Sequence, residues 1–311
     1  MHGHLIPARH FTGNDDALML GCSTLVQGMT RSLDRLADTE GNLLIQGEPG
    51  TGKRVLAEAI HRQSRRAAFP FLVLSLTGLS EESAEEALFG ARGVGGLIDQ
   101  ARAGATLYIE EIERLPARLQ RLLVLALRSH ERGRSARIIA ATALALEDLV
   151  LFGRFRQDAY YHLAVIRIAI PPLRERPEDV AAIAEDFIER WCERSGLPPV
   201  VLERAALAEL TRYSWPGNAC ELQETLEAAL AGLRGGELGA ERIQAVLGRR
   251  PERYAGADVF PLRQLERVYI ATVLTRCNWN QSLAARRLGI GRNTLIRKIK
   301  SLRIEKSEVA A

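Results

Sequence analysis

The run LLIQGEPGTGKR, Leu43 to Arg54, decides the fold, because a short apolar strand turns through a glycine-rich loop straight into a helix. Gly47, Gly50 and Gly52 allow backbone angles and a close approach that side chains would block, so successive N–H groups can point at phosphate oxygens. Lys53 is placed to reach the outer phosphates. The following RVLAEAIHRQS carries Val55, Leu56, Ala59 and Ile60 on one face, and its N-terminus adds a dipole to the anion site. Gly47, Glu48, Pro49, Gly50, Thr51, Gly52, Lys53 and Arg54 therefore form the expected nucleotide loop, with ATP or ADP as its ligand. At position eight stands Arg54 instead of a Ser or Thr, so Mg2+ is an option that lacks its usual protein hydroxyl.

Outward from this loop, β-type runs recur at LLIQ (Leu43), FLVLSL (Phe71), TLYIE (Thr106), RIIAAT (Arg137) and VIRIAI (Val165), separated by helical segments. Such alternation predicts a parallel sheet covered by helices. After PPLRER at Pro171 the β-type runs stop, and VAAIAEDFIERWCERSG and ERAALAELTRYSW read as consecutive amphipathic helices. The expected fold is α/β, a P-loop parallel sheet with a helical lid, followed by an all-α helix-turn-helix domain. The expected boundaries are a tail at 1–18, the α/β subdomain at 19–172, the lid at 173–248, a linker at 249–260 and the last domain at 261–311. No internal repeat is visible.

The composition, 47% hydrophobic and 26% charged, is that of a globular protein. Apolar runs such as LLVLAL stop well short of the roughly 18 residues of a membrane span, and the N-terminus lacks the apolar stretch of a secretory signal. Cys22, Cys192, Cys220 and Cys277 form no CxxC pair, and His2, His4 and His10 read as a terminal tract, so no metal site is expected. A cytoplasmic protein without membrane contact fits these features.

TLYIEEI delivers two acids beyond a strand, Glu110 for a magnesium ion and Glu111 for orienting water, the pair that hydrolysis requires. The C-terminal end carries different chemistry. From Phe260 onward eleven Lys and Arg face three Glu, a net +8 against +4 for the whole chain, which leaves −4 for the rest. Within it Asn280 caps QSLAARRL, a turn falls at Leu288 to Gly291, and RNTLIRKIKSL buries Leu295, Ile299 and Leu302 at helical spacing. This is the pattern of a helix-turn-helix that binds double-stranded DNA. Arg292 and Asn293 are the expected base contacts, Thr294 lies beside them, and Arg297, Lys298 and Lys300 lie nearer phosphates. A preceding helix presents Leu265, Tyr269 and Val273 for packing or dimerisation.

With LGCS at Leu20, GEPGTGK, the pair Ile60–His61, ALFG at Ala87, GRFRQDAYYHL at Gly153, PPLRERPED at Pro171 and WPGN at Trp215 in order, the chain resembles the bacterial enhancer-binding proteins. These are AAA+ activators of sigma-54 RNA polymerase that end in a Fis-type helix-turn-helix. The resemblance covers nearly the whole sequence and starts near residue 20, so no receiver domain is expected before it. It implies RNA polymerase holoenzyme as a partner, self-association as a dimer or ring, and a near-palindromic DNA site. It also implies Arg156 as a trans-acting catalytic finger.

The departures are as specific as the matches. LFG is followed by ARGVGGLIDQARAGATLYI, which has no GAFTGA loop for the sigma factor and is too short to hold one. The first strand acid is Glu110 where the family has Asp, the sensor Asn is Ala143, and the second finger arginine is His162. Cys220 replaces the lid arginine, and Ser75 matches the Asn that restrains the catalytic glutamate. The expectation is a DNA-binding regulator that binds nucleotide, hydrolyses it poorly and lacks the sigma-54 contact. The alternative is an ATP-hydrolysing sigma-54 activator, alone or in a mixed ring with an intact paralogue.

Overall fold

The computed structural model describes residues 35–91, 94–128, 136–248, 262–277, 279–302 and 304. The tail at 1–18 and the linker at 249–260 lie outside them. The chain forms two compact units, one of Met1–Ala145 with Asp158–Ala255 and one of Leu146–Gln157 with Gly256–Ala311.

Along the first part of the chain run β1 (Leu43–Gln46), α1 (Lys53–Arg62), β2 (Phe71–Ser75), α2 (Glu81–Phe89), β3 (Gly90–Ala91), β4 (Val94–Gly95), α3 (Leu97–Arg102) and β5 (Thr106–Glu110). There follow α4 (Ala117–Arg128), β6 (Arg137–Thr142), α5 (Leu146–Leu151), α6 (Gln157–Leu163), β7 (Ile166–Ala169) and α7 (Glu178–Ser195). Then come β8 (Val200–Leu202), α8 (Arg204–Arg212), α9 (Asn218–Leu230), β9 (Gly236–Leu238), α10 (Ala240–Leu247), α11 (Leu262–Arg276), α12 (Gln281–Arg287) and α13 (Arg292–Ser301).

The five apolar runs read from the sequence are the five strands of one parallel sheet, ordered β2-β5-β6-β1-β7. Being parallel and covered, the strands read as continuous apolar runs: Leu43, Leu44 and Ile45 are all buried. Alternate residues feed opposite faces, and Leu43, Ile45, Tyr108, Ile139, Ala141 and Ile168 pack with Leu56 and Ile60 of α1. Each buried Leu or Ile among them contributes about 1.5–3 kcal/mol, so the face that begins with the phosphate loop is also the one that anchors it. The register aligns Gln46 with Thr142 and Ser75 with Glu110. The carboxyl ends of β1, β6 and β5 thus open on one edge, where ligands of such sheets bind.

The lid gathers Leu173, Ile183, Ile188, Leu210, Trp215, Leu222 and Leu226 into its own core. Trp215 is buried and donates from Nε1 to the Leu210 carbonyl at 2.8 Å. One expectation is corrected here. The β-type runs do not stop at residue 171, because Val200–Leu202 and Gly236–Leu238 pair as a small parallel ladder that also buries Leu238.

Seven residues, 90–96, separate α2 from α3, and four of them pair as Gly90 with Gly95 and Ala91 with Val94. The Gly96 amide donates to Asp99 Oδ2 at 3.2 Å, which starts α3 at once.

In the second unit Asn280 caps α12 by accepting from the Leu283 amide at 3.1 Å, a contact worth about 1 kcal/mol. Buried Ala284 and Ala285 bring α12 close to its neighbours, and Leu295 and Leu302 close the core from α13. Of the expected face of α11, Val273 packs on the core and Tyr269 stays exposed. Ile270, Leu274 and Cys277 are buried and Val273 packs beside them, whereas Tyr269 is exposed with its ring edge-on to Phe152 at 6.4 Å. The Leu265 side chain lies outside the described residues.

Candidate functional site

Strand β1 ends at Gln46, and the Gly47 amide donates to the Thr142 carbonyl at 3.1 Å, so the loop opens at the end of β6. Gly50 and Gly52 adopt left-handed φ of 76° and 96°. A Cβ at Gly50 would lie 2.2 Å from the Gly217 carbonyl oxygen, so glycine is required there both by conformation and by the approach of the lid. Lys53 donates from Nζ to the Gly47 and Glu48 carbonyls at 2.7 and 2.8 Å. Burial pulls its ammonium below the usual lysine range, opposed first by the carboxylate of Glu113 and then by that of Glu110. The Thr51 hydroxyl donates to the Glu48 carbonyl at 2.8 Å and closes the turn.

The lid grips this loop through residues that the sequence reading did not single out. Arg174 forms a two-pronged pair with Glu48, both contacts at 2.7 Å, and holds that carboxyl below the usual range. Asn218 is buried in a left-handed conformation, φ 53°. Its Oδ1 accepts from the Leu173 amide at 2.7 Å, while Nδ2 donates to the Pro49 carbonyl at 2.9 Å and to Glu48 at 3.2 Å. The Ala219 amide at the start of α9 donates to the Gly50 carbonyl at 3.0 Å. Arg176, fully buried, donates to the Thr51 carbonyl at 3.3 Å and pairs with Asp179. The signals were present, since PPLRERPED and WPGN carry these residues, but the partners lie more than a hundred residues away in the chain.

On the opposite flank stand the acids. Glu110 ends β5, and burial pushes its carboxyl up while the Arg54 guanidinium pulls it down. Arg54 also pairs with Glu58 at 2.9 Å. Position eight brings the Arg54 guanidinium, not a hydroxyl, beside Glu110, and the Thr51 hydroxyl is committed to the loop. Among the described residues no three His, Cys, Asp or Glu side chains converge on a metal position.

Glu111 has a left-handed φ of 55°, a strained backbone for a non-glycine residue. Its carboxylate accepts from the Thr77 hydroxyl at 2.7 Å and from Arg114. Ser75, which stands where the family has the Asn that restrains the catalytic glutamate, hydrogen-bonds Glu110, its partner in the β2–β5 register. The period of two along β2 sets this outcome: Ser75 faces the preceding acid, and Thr77, beyond the strand, reaches the turned-out Glu111. Glu113, one turn further, was missed altogether. Its Oε1 accepts from the Ala143 amide at 3.5 Å, beside the residue whose carbonyl receives Gly47.

Cys220 is exposed beside Gly50. His162 accepts from Arg128 Nε at 3.2 Å. Arg156 is exposed on the 146–157 segment of the second unit.

In that second unit Arg292, Asn293, Arg297 and Lys300 are exposed on α13, Thr294 is half-buried at its first turn, and Leu295 is buried behind them. A polar helix N-terminus is thereby presented outward. Lys298, expected near phosphate, pairs with Glu266 of α11. No described helix is long and apolar enough to cross a membrane.

Comparison with known proteins finds three matching stretches. Residues 19–169 match the sigma-54 interaction domain, 174–257 the AAA+ ATPase lid domain, and 261–302 the bacterial regulatory protein domain of the Fis family. The transcriptional regulatory protein ZraR of Klebsiella oxytoca is 34% identical over 301 residues, covering 90% of this chain and 68% of that protein. The nitrogen assimilation regulatory protein NtrX of Azorhizobium caulinodans is 34% identical over 313 residues, covering 91% and 68%. Among solved structures, NtrX of Brucella abortus in complex with ATP superposes with a TM-score of 0.67 at 29% identity, over 91% of this chain and 69% of that one. The same protein in complex with ADP gives 0.65 at 30%, over 91% and 68%. With a glycine loop clasped by an AAA+ lid, a helix-turn-helix later in the chain and relatives of this kind along the same span, the chain belongs to the family of transcriptional regulators that join a sigma-54 interaction domain to a Fis-type DNA-binding domain.

Proposed function

We propose that this chain is a DNA-binding transcriptional regulator that binds ATP or ADP as a structural or regulatory ligand, hydrolyses it poorly and does not contact sigma-54 through the usual loop. The observation that carries the reading is the contrast at Ala143. The phosphate loop is built and clasped by the lid, while the residue at the end of β6 that would sense the γ-phosphate has no side-chain polar group. The seven-residue link between α2 and α3, paired with itself, supports loss of the sigma contact. Exposed Arg292, Asn293 and Arg297 support binding of double-stranded DNA at a near-palindromic site by a dimer or ring, in the company of RNA polymerase holoenzyme.

A second reading rests on Glu111. Its left-handed backbone and its contacts to Thr77 and Arg114 keep a carboxylate positioned at the strand end, as an ATP-hydrolysing activator would need, alone or with Arg156 completing a mixed ring with an intact paralogue.

The test is nucleotide binding and turnover of the purified protein beside Lys53→Ala and Glu111→Gln. The expected result is binding that Lys53→Ala abolishes, with no turnover above background in any of the three. Turnover lost in Glu111→Gln would establish the second reading instead. For the DNA end, Arg297→Ala should weaken binding and lower the salt slope by about one, measured by titration at several salt concentrations.

A further inference from the structure

Glu111, the acid set to orient water, is held by two donors. It follows β5 with φ 55° and ψ 49°, a strained left-handed turn that ends the strand. Its Oε2 accepts from the Thr77 hydroxyl at 2.7 Å and from Arg114 Nε. A carboxylate oxygen offers two lone-pair sites, so these donors fill Oε2. The side chain is 38% exposed, and these contacts rather than burial fix where it lies.

The order of the strands gives the hold its direction. In β2-β5-β6-β1-β7 the phosphate loop follows β1, on one side of β5, and β2 lies on the other. The β2–β5 pairing continues beyond Ser75 and Glu110, because the Leu76 amide donates to the Glu110 carbonyl at 3.4 Å. Thr77 comes next, with its own amide on Ser75 Oγ at 3.4 Å. Its hydroxyl therefore draws the Glu111 carboxylate toward β2, whereas the phosphate loop lies two strands away in the opposite direction, past β6. Arg114 secures the same oxygen from the turn Ile112–Arg114, whose last amide donates to the Glu111 carbonyl at 2.9 Å.

A carboxylate that orients water for attack on a terminal phosphate has to face the phosphate loop. Resting on the reading of nucleotide binding with poor hydrolysis, we infer that Thr77 is a positioning residue that, together with Arg114, holds Glu111 on the β2 side of β5, away from the phosphate loop. Weak hydrolysis is then a restrained state of a retained acid, added to the loss of the polar side chain at Ala143. Thr77 and Arg114 are both exposed, so removing either contact costs the fold little and frees the acid.

The experiment measures nucleotide affinity, and kcat and KM for ATP hydrolysis, on the full chain as wild type, Thr77→Val, Thr77→Ser, Arg114→Ala, Glu111→Gln and the double variant Thr77→Val with Glu111→Gln. Valine keeps the shape of threonine and removes the donor, whereas serine keeps the donor. Thr77→Val and Arg114→Ala should each raise kcat at least about tenfold over wild type, roughly what one hydrogen bond to a charged group is worth. Affinity for ATP should stay within about twofold, because neither residue touches the loop. Thr77→Ser should preserve the restraint, and Glu111→Gln added to Thr77→Val should remove the gain. A kcat that neither Thr77→Val nor Arg114→Ala moves, a gain that Thr77→Ser matches, or a gain that survives Glu111→Gln would overturn the assignment of Thr77 and leave nucleotide binding with poor hydrolysis standing. If wild type binds no nucleotide, or turns ATP over at a rate that Glu111→Gln abolishes, the underlying reading fails and this inference falls with it.

Discussion

On its lid flank the phosphate loop is held by Arg174 on Glu48, by Asn218 on Pro49 and Glu48, by Arg176 on Thr51 and by the Ala219 amide on Gly50. On its strand flank it faces Glu110, Glu111 and Glu113, with alanine at the end of β6 and a carboxylate oxygen that has no donor. One flank clasps the loop with side chains, and the other lines it with acids. The difference separates two tasks that a nucleotide site usually performs together. Clasping a phosphate needs glycine conformations and amides, and a lid can keep them in place. Cleaving one needs side chains aimed at a single oxygen, and those are the positions that have changed.

The largest test of this contrast is Asn218→Ala. It leaves the buried Leu173 amide and the Pro49 carbonyl without their partner and puts alanine at a left-handed φ, and the expected loss is about 2–4 kcal/mol of stability. Thermal or denaturant unfolding would measure it, and an unchanged midpoint would mean that the lid does not hold the loop.

A smaller and more diagnostic pair uses pH. Burial raises the Glu110 carboxyl above its ordinary value of 4.5. The unfolded chain therefore ionises first, and Glu110 costs stability as pH rises through that value. Glu110→Gln should raise the melting temperature at pH 7 by about 1–3 °C, with the gain fading near pH 4. Glu48 has the opposite sign, because the Arg174 hydrogen bonds hold its carboxyl below 4.5. Its contribution is present above 4.5 and is lost as pH falls below it. Glu48→Gln should lower the midpoint at pH 7 by about 1–2 °C, a small effect because the pair is partly exposed and screened, and the deficit should shrink in acid. If both variants shifted in the same direction at pH 7, the two flanks would not differ in the way described.

The lesson for reading sequence lies in particular residues. The five strands and the phosphate loop were legible because parallel, doubly covered strands are continuous apolar runs and the loop demands glycine at fixed spacing. The ladder of Val200–Leu202 with Gly236–Leu238 was not legible, since three residues carry no period. Thr77 escaped notice because its target, Glu111, leaves the strand with a left-handed φ, and nothing in IEEIER announces that turn. Glu113 reads as a solvent-facing acid until β6 places Ala143 beside it. Lys298 reads as a free cation on a recognition helix until Glu266, 32 positions earlier, is packed against it.

The sequence by itself determined the strand, loop and helix of Gly47–Arg54, the parallel sheet, the helical lid, the capped helix-turn-helix and the loss of polar side chains at Ala143 and Cys220. These follow from local periodicity, glycine spacing and residue identity, which need no knowledge of distant partners. Only the tertiary structure decided which lid residues clasp the loop, which hydroxyl holds Glu111, and that the Glu113 carboxyl meets the Ala143 amide. Those contacts join residues that are dozens to more than a hundred positions apart, and their geometry is set by strand register and backbone turns that no short stretch of sequence encodes.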